Sequence, residues 1–238
     1  MRIAYLFIIM MVISSGATGQ TIDLERGLIA YYPFDEDAND FSGNENHGNV
    51  NGAHLEPAIR CDGAAYRFDG DDDYIDFGNG ETLNSGYNGL TISFMVRHDE
   101  YTPDDYRLIL GKWAFKVDRD QYAIFLNNAN KLSFAVADGN EFGYGFYSKT
   151  TIEPDEWYHV IVAWNRRGKM GIFINGKLDN QGDQSGRGLN ENSNISLKAG
   201  RQIVGQDRPF KGFIDEVRVY NRTLSLEEIK ALFMQDYF

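Results

Sequence analysis

The chain has 238 residues, with 35 acidic side chains against 23 basic ones, a formal net charge of −12, and one cysteine. That acidity weighs against nucleic-acid backbones and anionic lipid as partners, and the lone Cys61 rules out an internal disulfide. A chain of this length buries a full core without bridges and fits one large β domain.

The first 19 residues read as an export signal. Arg2 supplies a positive charge, Ile3 to Ile13 are almost wholly apolar, and Ala17-Thr18-Gly19 is a small-x-small cleavage site. The apolar run is about 11 residues, short of the ~20 that a membrane-spanning helix needs. No second run of membrane length follows, and no cysteine follows the first for a lipid anchor. The expectation is a signal over 1–19 and a single exported domain over 20–238 that acts outside the cytoplasm, without membrane insertion.

Short strands follow, separated by Gly, Asn and Asp clusters. They are expected at Leu28–Phe34, Ala65–Asp69, Tyr74–Phe77, Arg107–Lys112, Tyr122–Asn127, Lys131–Ala137, Ile195–Ala199 and Phe210–Tyr220. Thr91 to Arg97 alternates, with Ile92, Phe94 and Val96 on one face and Thr91, Ser93 and Met95 on the other. Trp157 to Asn165 puts Tyr158, Val160, Val162 and Trp164 together, and Met170, Ile172 and Ile174 alternate before a type I′ hairpin signal at Asn175-Gly176. About a dozen such strands at short spacing define an all-β, two-sheet antiparallel β-sandwich or jelly roll. Asn180 to Asn194 is polar and aperiodic and is expected to be a long loop. One helix closes the chain. Ser225 and Glu228 form a capping box, Leu224 staples onto Ile229, and Leu226, Ile229, Leu232 and Phe233 make an apolar stripe.

Catalytic signatures are missing from the sequence. It has no G-x-S-x-G elbow, no H-E-x-x-H helix, and no E-x-D-x-x-E strand of the sandwich glucanases. Gly171 to Lys177 mimics a phosphate loop, but Leu178 replaces the magnesium-binding hydroxyl and the segment reads as a hairpin. Glu153-Pro154-Asp155-Glu156 reads as a loop, and nothing local pairs two carboxylates for glycoside hydrolysis.

Two acidic segments have the alternate-residue spacing of calcium loops, Asp35 to Asp40 and Asp69 to Asp73. Asp215, if its strand is regular, shares a face with Val217 and Val219, where a carboxylate is costly unless paired or metal-bound. Aromatic residues concentrate at Phe142 to Tyr147 and at Tyr101, Tyr106 and Trp113. Exposed rings stack on sugar faces, whereas buried ones fill the core.

Taken in order, several stretches resemble the laminin-G-like jelly-roll domains of the concanavalin A-like lectin/glucanase superfamily. They are Gly27 to Asp35 with Ala38 to Asn44, Ala65 to Ile75, Glu156 to Val160 with Ile172 to Gly176, and Gly212 to Ser225. The resemblance covers roughly Gly27 to Phe233. It implies a concanavalin A-like jelly roll that is secreted or surface-exposed, mostly non-catalytic, and binds a glycan or an extracellular or cell-surface protein, often in adhesion. It further implies a structural calcium where the opening segment meets the final strand, which on this chain points to Asp35, Asp40 and Asp215. The functional expectation is a calcium-stabilised, non-catalytic lectin-like module. A glycoside hydrolase or lyase of the same fold and a protein-binding envelope domain stand as alternatives.

Overall fold

A computed structural model describes residues 21–237 except 58–62, 85–88, 100–105, 116–119, 140–143, 167–168, 184–187, 191–192 and 202–207. The export signal expected at 1–19, together with Cys61, Tyr101 and Phe142, lies outside the described residues.

Alternating apolar residues bury one face of each strand, and two sheets close over the result. The first sheet runs in the order β13 (Lys177–Asp183), β12 (Lys169–Ile174), β11 (Tyr158–Asn165), β6 (Gly89–His98), β15 (Lys211–Tyr220), β4 (Ala64–Asp69) and β3 (His54–Pro57), with β1 (Leu28–Tyr32) also on β15. The second runs β10 (Tyr144–Thr151), β9 (Lys131–Val136), β8 (Tyr122–Leu126), β7 (Arg107–Lys112), β14 (Lys198–Ala199), β5 (Tyr74–Asp76) and β2 (Asn49–Asn51). The strand pairs are antiparallel. Between the sheets lie Ile92, Phe94 and Val96 of β6, Val160, Val162 and Trp164 of β11, and Ile124, Leu126, Phe134 and Val136 of β8 and β9. Each such residue contributes roughly 1.5–3 kcal/mol by leaving water.

The chain ends meet, because β1 pairs with β15 from Leu28 opposite Tyr220 to Tyr32 opposite Val217. The regular phase expected for β15 does not hold. Its register against β6 shifts between Asp215 and Arg218, with Glu216 at φ 51°. This extra residue is a bulge. Ile214, Val217 and Val219 therefore face the core together, while Asp215 opposes Met95 on the other side.

The Asn175-Gly176 turn, at φ 49° and 72°, links β12 to β13 as the hairpin signal predicts. The expected loop from Asn180 starts instead as strand, since β13 runs through Asp183. An edge strand draws its stability from the backbone ladder and needs few apolar side chains. Asp179 adds to it by accepting the Lys149 and Thr150 N–H groups of β10 at 2.6 and 2.9 Å.

The closing helix, α1 (Leu226–Tyr237), begins at the expected capping box. Ser225 N–H donates to Glu228 at 2.7 Å and Glu228 N–H donates to Ser225 Oγ at 3.2 Å. Leu224, Ile229 and Leu232 pack on Ile161, Phe173 and Tyr220, on the outside of the first sheet. Leu226, expected in the stripe, is 56% exposed.

Candidate functional site

The second sheet carries an apolar patch on its outer face. Along β8, Tyr122, Ile124 and Leu126 point into the core, so Ala123 and Phe125 point out. Strand register then aligns Gly111, Ala123, Ala135 and Gly145 in one row across β7 to β10. The next row is Leu108, Phe125, Ser133 and Tyr147. The first row holds nothing larger than a methyl group; Gly111 and Ala123 are buried, and Ala135 and Gly145 form the floor of a cleft. At Gly145 a β-carbon would lie 2.9 Å from the Phe134 carbonyl oxygen, so the floor is closed to larger side chains there.

Aromatic rings wall this floor. Trp113 meets Phe125 edge-on at 6.1 Å, and Phe115 lies 6.0 Å from Phe125. Tyr106 stacks on Tyr147 at 6.4 Å, with their hydroxyls hydrogen-bonded to each other. The Arg208 guanidinium sits 4.5 Å from the Phe115 ring centre and 5.4 Å from that of Tyr106. Tyr106, Phe115, Phe125, Tyr147 and Arg208 line a cleft of about 420 Å³, and Trp113 packs behind Phe125 and Phe115. The cleft's mix of ring faces with a few hydroxyl and guanidinium donors suits a ligand that is apolar on its faces and polar at its edges, as a sugar ring is. Of the aromatic residues that stand out in the sequence, Tyr106, Trp113 and Tyr147 reach this face. Phe115, Phe125 and Arg208 complete it, and composition alone does not mark them. Alternation does mark Phe125: it is the outward position in an otherwise core-facing strand.

The acidic residues fall into two places. Asp40 is buried, and its Oδ1 accepts the Tyr31 and Ser42 N–H groups at 3.0 and 2.8 Å. Its Oδ2 accepts Ser42 Oγ–H and Asn46 N–H, both at 3.0 Å. Four donors occupy the acceptor sites of the carboxylate, so Asp40 folds the opening loop, and a cation there would have to share or displace them. Asp35 is exposed. Asp215, half-buried, accepts the Glu216 N–H at 2.9 Å. Among the described residues, the His, Cys, Asp or Glu group whose ligand atoms lie within 4.8 Å of one another is Asp69, Asp72 and Asp73, not Asp35, Asp40 and Asp215. Burial pushes the Asp73 carboxyl up, against the Asp69 N–H that its Oδ2 accepts at 2.9 Å.

Ser93, His159 and Asp236 are the residue types of a hydrolytic triad, brought together under α1. The geometry is wrong for one. His159 Nε2 faces both Ser93 Oγ at 2.9 Å and Asp236 Oδ2 at 3.2 Å, where a triad uses two different ring nitrogens. Ser93 and His159 are fully buried, so no substrate reaches them. The trio is part of the packing of the helix on its sheet.

Lys112 is also buried. Lys112 Nζ donates to Asn79 Oδ1 at 2.7 Å, to the Leu83 carbonyl at 3.0 Å, and to Asn84 Oδ1. Burial pushes its pKa down to about 7, while three oxygens match the three N–H donors of an ammonium.

The architecture is that of a two-sheet antiparallel jelly roll with an aromatic cleft on one outer face. The chain belongs to the concanavalin A-like lectin/glucanases superfamily, since a laminin G family model of that description matches residues 69–230. No match is found among curated proteins. Among solved structures, the binding domain of Paraclostridial Mosquitocidal Protein 1 aligns at TM-score 0.72 and 20% identity, over 90% of this chain and 53% of that one. Domain 4 of AbnA, an extracellular arabinanase from Geobacillus stearothermophilus solved with arabinotriose, aligns at TM-score 0.67 and 22% identity, over 86% of this chain and 97% of that one. The receptor binding domain of a botulinum neurotoxin C/D mosaic aligns at TM-score 0.71 and 14% identity, over 89% and 52%. The chain spans about half the length of these toxin binding domains. At such identities the likeness concerns the fold.

Proposed function

We propose that this protein is a non-catalytic carbohydrate-binding module whose ligand lies in the cleft on the β7–β10 face. The observation that carries the reading is the cleft in which Ala135 and Gly145 lie beneath the rings of Tyr106, Phe115, Phe125 and Tyr147. Tyr147 is 44% exposed and Tyr106 and Phe115 are partly so, and their rings offer stacking area that a core would have hidden. The arabinotriose held by the AbnA domain supports a glycan as ligand class. The test is titration of the whole protein against a panel of oligosaccharides, beside a Tyr147→Ala variant. Binding that weakens in the variant supports the reading, and a silent panel with folded protein ends it.

Export and calcium belong to the same proposal. The leader at residues 1–19 supports action outside the cytoplasm, and N-terminal sequencing of protein recovered outside the cell tests it. Calcium at Asp35, Asp40 and Asp215 would stabilise the junction of the chain ends, although the four donors on Asp40 weigh against that ligand set. A site of Kd ~10⁻⁴ M in ~2 mM calcium adds about 1.8 kcal/mol. Chelator then lowers the melting temperature by a few degrees, and Asp215→Asn removes the response; a melt indifferent to chelator ends the calcium proposal.

A further inference from the structure

We propose that Asp179, on the edge strand of the first sheet, is a positioning residue for the cleft on the second: with Asn180 beside it, Asp179 fixes where the Tyr147 ring stands. This rests on the carbohydrate-binding reading above. Tyr147 lies on β10, an edge strand, at the point where its ladder gives out. Tyr147 pairs with Ser133, and the next pair is Thr151 with Lys131, so four steps along β10 answer two along β9. Within that break the Ser148 hydroxyl accepts the Leu132 N–H at 3.0 Å. The edge strand β13 has a break of its own. Phe173 pairs with Leu178 and Ile172 with Asn180, so Asp179 is the extra residue of a bulge. Bulges re-aim side chains, and this one meets the break in β10. Asp179 Oδ2 accepts the Lys149 N–H at 2.6 Å, and its Oδ1 accepts the Thr150 N–H at 2.9 Å together with the Thr150 hydroxyl. Asn180 Nδ2 donates to the Tyr147 carbonyl at 2.8 Å. The backbone that carries the Tyr147 ring is thus held from the other sheet. Phe125 is placed by other means, being paired with Leu108 on one side and Ser133 on the other. A ring that is 44% exposed is fixed less by packing than a core ring, so its backbone anchor sets its place against a ligand.

The experiment is a double-mutant cycle on the whole protein, read by calorimetric titration with arabinotriose, xylotriose and galactotriose. Its members are the parent, Asp179→Ala, Tyr147→Ala and the double variant. Asp179→Ala is expected to weaken binding about fivefold in the parent and at most about twofold in the Tyr147→Ala background. Parent affinity in Asp179→Ala overturns the inference and leaves the carbohydrate reading standing. So does a loss that is as large without the Tyr147 ring as with it, which is what a general loosening of the fold would give. Absence of binding by all three sugars and by the wider oligosaccharide panel overturns both. If Asp179→Ala does not melt cooperatively, Asn180→Ala takes its place in the cycle under the same criteria. If Tyr147→Ala binds too weakly to titrate, hydrogen exchange in the unliganded protein decides. Faster exchange at the Lys149 and Thr150 amides of Asp179→Ala, alongside its weaker binding, supports the assignment, and unchanged exchange there overturns it.

Discussion

Arg218, on the last strand, donates from Nη1 to both carboxylate oxygens of Asp236, in the last turn of the helix, at 2.8 Å each. Both side chains are buried. The same guanidinium lies 4.0 Å from the Tyr31 ring centre and pairs with Glu216 at 2.9 Å. Burial alone would lower the Arg218 pKa, but Asp236 and Glu216 outweigh it and hold the group above the ordinary arginine value. One cation thus ties β1, β15 and α1 together. Removing one member of such a pair leaves a buried charge uncompensated, at about 3–5 kcal/mol. Asp236→Ala is expected to lower the melting temperature by roughly 10 °C. A thermal melt within a degree of the unmodified protein would show that the ion pair contributes nothing.

Lys112 makes stability depend on pH in a definite direction. Its folded pKa is pushed down to about 7 from 10.5, so between these values the unfolded chain binds more protons than the folded one. Stability therefore rises with pH across that window, by at most about 1.4 kcal/mol per unit. The clean range is pH 7 to about 9.5, below the ordinary tyrosine value of about 10 at which the buried tyrosines ionise once unfolded. Lys112→Met leaves the Asn79, Leu83 and Asn84 oxygens without their donor, at about 1–3 kcal/mol, and flattens the slope. Chemical denaturation at three pH values in both proteins measures it, and parallel curves would refute the assignment.

Strands that bury one face announce themselves, which is why Ile92-Phe94-Val96 and Val160-Val162-Trp164 were legible as core from alternation alone. The Ser225–Glu228 box was legible for a similar reason, being a local contact with a local spacing. Edge strands were not. In β13, Asn180, Gln181 and Gly182 are held by pairing with Ile172, Gly171 and Met170, and a backbone ladder leaves no mark on side-chain pattern. The bulge at Glu216 was equally silent, and with it went the inward phase expected of Asp215. The cleft is a product of register. Gly111, Ala123, Ala135 and Gly145 are ordinary residues on four different strands until pairing sets them in line, and Arg208 arrives from much further along the chain.

The capping box predicts a modest, local effect. Ser225→Ala removes the hydroxyl that accepts the Glu228 N–H, and Glu228 is also held by Arg222 at 2.8 Å through both oxygens. Loss of a cap costs about 1 kcal/mol, or roughly 2–4 °C in a chain of this size. Because the helix lies on the outside of the first sheet, oligosaccharide affinity in the cleft of the second should not change. Calorimetry and a melt on the same sample test both halves; an altered affinity would mean that the helix and the cleft are coupled.

Ala135 offers the sharpest test of the cleft. It sits in the floor between Ala123 and Gly145, on the face away from the core. Ala135 is 7% exposed and lines the cleft, so a leucine there takes up part of its roughly 420 Å³. The cost to stability is therefore expected at or below the low end of the ~1–3 kcal/mol range for overpacking, and the fold should melt cooperatively. The ligand, by contrast, loses the space it occupies, and affinity should fall by at least about tenfold, a loss of 1.4 kcal/mol. Tyr147→Ala removes a wall instead of filling the floor. Tyr147 is 44% exposed, so that variant should be nearly as stable as the parent while binding more weakly. Two opposite changes of volume with the same effect on binding would locate the ligand between them. If Ala135→Leu binds as well as the parent, the ligand lies elsewhere on the protein.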